Sequence, residues 1–186
     1  LQESVDQARA AGDLAAELRS MFNLATLQYE SGDVAAAHET YARTEQRGRE
    51  VGRPWAPFAL ESRVLGIQAA YVLGAWDGAT AMADLSHDAP PDLAEAMVRA
   101  SGMVVSAGRG DVSALDLLPS LAQHGQREGM VALFAGFATI DLHGDHGDLT
   151  AATKAYVDVV KGVGGMWANM DFQARIRLAA LLLGHC

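Results

Sequence analysis

The stretch "DLHGDHGDLTAA" (141–152) places Asp141, His143, Asp145, His146 and Asp148 within eight positions. Carboxylates and imidazoles are ligands for hard and borderline metal ions, so metal binding is the first chemistry to weigh. A calcium loop takes oxygen ligands at alternate positions and ends on a distal bidentate Glu, and none follows at that place. Zinc would require His143 and His146 to converge with a further ligand, for which His124 is the one conceivable near neighbour. The competing reading is a helix end, a tight turn and a cap. His143 near a helix C-terminus suits the dipole, Gly147 bends the chain and Asp148 starts the next helix. We adopt the turn and assign no metal ligands.

Other chemical candidates weaken in the same way. His185 and Cys186 are adjacent, and adjacent residues on a helix point apart, so they form no strong dyad. The remaining histidines, His38, His87 and His124, are scattered. "RGD" (109–111) suggests adhesion, but it also reads as a turn with Asp111 as cap. "GVGGMW" (162–167) carries no Lys and follows no strand, so it reads as a linker rather than a phosphate loop. No catalytic residue and no cofactor-binding residue is assigned, and the chain is read as a non-enzyme.

The elements that must position these residues are helices. "YESGDVAAA", "YVLGAWDGA", "AGRGDVSAL" and "GDHGDLTAA" each set Gly-Asp, or its equivalent, between two apolar-periodic stretches. The pairs are Gly32 and Asp33, Gly74 and Asp77, Gly110 and Asp111, and Gly147 and Asp148. The four glycines are separated by steps of 42, 36 and 37 residues, the size of a helix-turn-helix repeat of roughly 34 to 47 residues. In such a turn Gly takes the left-handed conformation that ends one helix, and Asp accepts from the free N–H groups of the next.

One-sided stripes flank the turns: Leu14, Leu18, Met21, Phe22 and Ala25, then Val34, Ala37, Tyr41 and Thr44. Similar stripes recur at Leu60, Val64, Ile67 and Tyr71, and at Leu149, Ala152, Tyr156 and Val159. Each is too narrow to be buried alone and suited to stacking. Helices are expected at 14–30, 34–50, 55–73, 78–86, 92–107, 112–124, 127–143, 149–162 and 170–184, with Pro119 shortening or bending the sixth. The expectation is one all-α domain over 1–186, an antiparallel helix-pair solenoid curling into a right-handed superhelix. Its units are 14–50, 55–86, 92–124 and 127–162, with a terminal helix at 170–184.

Composition agrees. The chain has 186 residues, half of them hydrophobic, with 14 Lys+Arg against 23 Asp+Glu for a net charge of −9. Ala and Leu dominate the apolar half and favour helix. An acidic surface repels phosphate backbones, which argues against direct nucleic-acid contact. The single cysteine, Cys186, has no partner in the chain, which fits a reducing cytoplasm. No apolar run is long enough to span a bilayer. The chain starts at Leu1 inside a helix-like stretch and stops after the apolar "IRLAALLLG" (176–184), and so reads as a fragment of a longer protein. That apolar end makes self-association a further expectation.

Residues 18–45, "LRSMFNLATLQYESGDVAAAHETYART", resemble a tetratricopeptide repeat through Asn23, Leu24 and Ala25, the Gly32-Asp33 turn, and Ala37 and Tyr41. Gly147, Ala152 and Tyr156 match in part, while Met103 and Leu115 stand where small residues are usual. The degenerate middle, "LGAWDGA" and "GRPW" are similar to the repeat regions of large ATP-binding bacterial regulators of the LuxR type, the maltose-activator group. The Ala/Gly/Arg-rich usage suits an actinobacterial member. The resemblance implies a non-catalytic sensor and protein-interaction segment between an ATPase module and a DNA-binding helix-turn-helix. ATP is implied only for the absent module, since this chain has no G-x-x-x-x-G-K-[ST] loop. A stand-alone scaffold that binds a partner peptide or helix is the alternative. Trp55, Trp76 and Trp167 read as plugs between repeats. In a sharper reading, Trp55 and Tyr71, with Arg53 or Arg63, line a groove for a protein or small-molecule effector.

Overall fold

A computed structural model describes residues 2–168 and 173–186. Ten α-helices are defined among them: α1 (Gln2–Ala10), α2 (Leu14–Glu30), α3 (Val34–Glu50), α4 (Pro57–Val72), α5 (Trp76–Ala83), α6 (Asp92–Gly108), α7 (Leu118–Gly125), α8 (Gly129–Asp145), α9 (Leu149–Met166) and α10 (Ala174–Gly184). A 3₁₀ helix, Val112–Leu117, precedes α7. The described residues contain no strand, and the helices pack chiefly on their neighbours in sequence. The chain is all-α, in an arrangement consistent with helical repeats.

One turn geometry recurs. Gly32, Gly74, Gly110 and Gly147 have φ of +88°, +75°, +73° and +74°, a region open to Gly because it has no Cβ. After α2, the Gly32 N–H donates to the Tyr29 carbonyl (3.1 Å) and the Asp33 N–H to that of Gln28 (2.9 Å). After α8, the N–H groups of Gly147 and Asp148 donate to the carbonyls of Gly144 and His143, both at 2.9 Å. These paired bonds satisfy helix-end carbonyls, and the Asp that completes them caps the next helix. Asp33 accepts from Ala36 N (3.1 Å) and Asp148 from Ala151 N (2.9 Å). Asp111 accepts from the backbone and hydroxyl of Ser113. A further copy, Gly12 with Asp13 capping α2, joins α1 to α2 and is visible in the sequence as "AAGDLAA".

Four elements differ from expectation. The expected helix 112–124 is instead the 3₁₀ segment followed by α7, because Pro119 lacks an N–H and sits in the first turn of a new helix. The helix expected at 78–86 starts at Trp76 and ends at Ala83; its N-cap is Ala75, so Asp77 lies in the first turn rather than at the cap. "GVGGMW" is not a linker, since α9 continues through Met166. The terminal helix begins at Ala174, and residues 170–172 of its expected range lie outside the described residues.

The helices group into two compact units, Leu1–Ala94 and Glu95–Cys186, with the boundary inside α6. In the first, Ala25, Ala37, Tyr41 and Ala69 form a core cluster with Phe22 and Leu65 packed against it. Small residues on α2, α3 and α4 bring those helices close, and Tyr41 fills the centre with its hydroxyl 3.1 Å from Thr26 Oγ1. In the second, Leu133, Ile140, Ala152, Val160, Val163 and Leu178 join α8, α9 and α10. Helix α8 carries buried residues on all sides, as expected of a helix that others surround. At Gly136 a Cβ would collide with Val159 Cγ2, so the bare backbone sets how closely α8 and α9 approach. No helix of the described residues is long and apolar enough to cross a membrane.

Candidate functional site

The first unit is held by two carboxylates, each gripped by two arginines. Glu17, 2% exposed, accepts from Arg9 Nε at 2.8 Å and from Arg47 Nε and Nη2, both at 3.2 Å, which ties α1, α2 and α3 together. Burial pushes its carboxyl up, and the hydrogen bonds from Arg9 and Arg47 more than offset that, leaving it below its ordinary range. Asp88, after α5, accepts from Arg49 at 3.0 and 3.3 Å and from Arg63 Nη1 at 2.7 Å. The Arg49 hydrogen bond, with Arg63 adding to it against burial, holds the Asp88 carboxyl at about 2.

This arrangement removes Arg63 from the expected groove. Its guanidinium is buried and also donates to the carbonyls of Met82 and Asp84, both at 2.8 Å, while its flat face lies 5.5 Å from the Trp55 ring centroid. Tyr71 stands near the C-terminal end of α4, roughly 12 Å from Arg63 along the axis at 1.5 Å per residue. There it stacks on Trp76 with ring centroids 5.6 Å apart, and Trp76 Nε1 donates to the Tyr71 carbonyl at 3.1 Å. Arg53 is exposed at the turn before α4. The four residues therefore do not line one groove. Trp55 lies against Arg63 in the middle of α4, Trp76 against Tyr71 near its end, and Trp167 against Gly129 at the start of α8.

The acidic and histidine-rich stretch also resolves in an unexpected way. His146 directs Nδ1 to its own helix, 2.8 Å from the Leu142 carbonyl, and His143 lines a groove, so the two do not converge. Asp141 and Asp145 meet His185, the residue that ends α10, instead, with candidate ligand atoms within 4.8 Å of one another. Each ring nitrogen faces a different carboxylate: Nε2 lies 3.3 Å from Asp141 and Nδ1 lies 3.5 Å from Asp145. A ring set between the two acids links the end of α10 to α8. Burial and the nearby Asp145 charge push the Asp141 carboxyl up, against the opposing pull of His185. Nothing in the sequence spacing pairs residue 185 with residues 141 and 145.

The groove is the site that sequence reasoning missed. It lies within the second unit, has a volume of about 650 Å³, and has α7 as one wall, α8 as its floor and α9 as the other wall. It exceeds two hollows of about 390 and 380 Å³ in the first unit, the former lined by the Arg49–Arg63–Asp88 network. Its origin is traceable. Helix α7 spans eight residues where α6, α8 and α9 span 17, 17 and 18, so it covers only part of α8. Ala132, Ala135 and Gly136 on the floor add little bulk. Pro119 was a legible signal for the short helix, though not for the hollow beside it. The groove matches the size of small-molecule sites, about 300–1,000 Å³. Comparison with protein-family models, curated proteins and solved structures finds no match for this chain.

Proposed function

We propose that this chain is a non-catalytic sensor and interaction segment built of about four tetratricopeptide-like helix pairs. In this reading the pairs wind into a right-handed solenoid, and the segment belongs to a cytoplasmic LuxR-type regulator. An effector that prefers one curvature of the array shifts the population of that state, and the shift passes to ATPase and DNA-binding modules outside this chain. The observation that carries the reading is the open groove on α8, bounded by α7 and α9, which offers a ligand mainly small and apolar side chains. The recurrent Gly-Asp turns between neighbouring helices support the repeat architecture. The parent reading frame tests the reading. A phosphate-binding loop on one side and a helix-turn-helix on the other are expected, and the absence of both would overturn it.

A further inference from the structure

We infer that the groove of the second unit takes an uncharged, mainly apolar small molecule whose hydrogen-bonding group meets the ring of His143. This rests on the groove being the sensing surface and adds the chemistry of its ligand.

The polar groups lining the hollow decide the class. Lys154 and Asp158 lie on the α9 wall and pair with each other, Nζ to Oδ2 at 2.6 Å, so together they present no net charge. Thr139 on the floor already donates its hydroxyl to the Ala135 carbonyl at 2.7 Å and offers a ligand only an acceptor. His143 differs from both. Its ring is half-buried at the end of α8, lines the groove, and makes no hydrogen bond among the described residues. A half-buried imidazole is satisfied by either a donor or an acceptor. The rest of the lining, with Leu121, Val131 and Met166 among it, is apolar. A carboxylate or ammonium head would have to draw Lys154 or Asp158 out of that pair, whereas a hydroxyl, carbonyl or amide would leave the pair intact.

Size fits a small molecule: the α7 wall spans eight residues, about 12 Å, and the groove volume of about 650 Å³ lies within the small-molecule range.

The test uses calorimetric titration of the whole chain with three probes of equal length, n-decanol, decanoate and decylammonium, below their aggregation limits. Decanol should bind at one site, at least tenfold tighter than either charged probe. Ala122→Trp, at an exposed position on α7, and Ala155→Trp, on α9, should each weaken decanol at least tenfold. Helix content by circular dichroism and the melting temperature identify a variant that has failed to fold, and the other variant then decides. His143→Leu should weaken decanol about fivefold but leave 1-chlorodecane, which has only a weak acceptor, within twofold. A charged probe that binds as tightly as decanol, and is blocked by the same tryptophans, would overturn the ligand class and leave the groove as the sensing surface. Binding of neither a probe nor an amphipathic helical peptide, or binding unaffected by both tryptophans, would overturn the groove itself. Blockage by the tryptophans of an amphipathic helical peptide, with no decanol binding, would assign the groove to a protein partner.

Discussion

The first unit locks its helices with charge, and the second packs them by shape. Glu17 and Asp88 each collect two arginines, and Arg63 also donates to two backbone carbonyls. In the second unit, Gly136 lets α8 and α9 approach closely, and the break at Pro119 leaves part of α8 uncovered. The difference teaches where function can reside. Where charges have found partners, the hollow beside them is smaller and lined by ion pairs; where a helix is cut short over a floor of small residues, the hollow is larger and mainly apolar. Charged networks and open grooves can thus divide between neighbouring stretches of one chain that use the same turn chemistry throughout.

The contrast can be broken most severely at Arg63. Arg63→Met should destabilise the first unit by about 3–5 kcal/mol, since it leaves Asp88 and the Met82 and Asp84 carbonyls without their donor. Hydrogen exchange should show the loss concentrated in α3–α5. In the second unit the matching disruption is Gly136→Ala, whose Cβ meets the stiff, branched Val159. A loss of about 1–3 kcal/mol in chemical denaturation is expected, even though Ala is the better helix former.

Acid sharpens the comparison. The Asp88 carboxyl is held at about 2, below its ordinary 3.8. Its contribution is therefore fully present above the ordinary value and is lost as pH falls towards 2, on the order of 1–2 kcal/mol after allowing for partial exposure of the Arg49 side chain. Asp88→Asn should flatten that part of the stability–pH curve. Asp141 has the opposite sign. Its raised carboxyl favours the fold below the ordinary carboxylate range and loses that advantage as pH rises through its elevated value. Asp141→Asn should thus remove an acid-side gain rather than an acid-side loss. The smallest expected effect lies at the caps, where the two units should agree. Asp33→Ala and Asp148→Ala should each cost about 1 kcal/mol in thermal or denaturant unfolding.

Local chemistry was legible in the sequence, and assembly was not. Gly32, Asp33, Gly147 and Asp148 announce their turns because a left-handed residue and a cap depend on their own backbone. The stripes on α2, α3 and α4 identify Leu18, Ala25, Ala37, Tyr41, Val64 and Ile67 as buried, because helical periodicity alone places them on one face. Leu149 belongs to a similar stripe but is 38% exposed, since it lies in the first turn of its helix. The Arg63–Asp88 pairing spans 25 residues and the Asp141–His185 pairing 44. Neither follows from spacing, because each depends on how separate helices come together. The groove was hidden for the same reason: Pro119 signals a break in a helix, but a hollow exists only once α8 and α9 stand beside the break.

The most direct test of the account is hydrogen–deuterium exchange of the whole chain with and without saturating decanol. Slowed exchange confined to α7, α8 and α9, with residues 2–94 unchanged, is the expected result. Protection in the first unit around Trp55, Arg63 or Tyr71, with none in α7–α9, would contradict it.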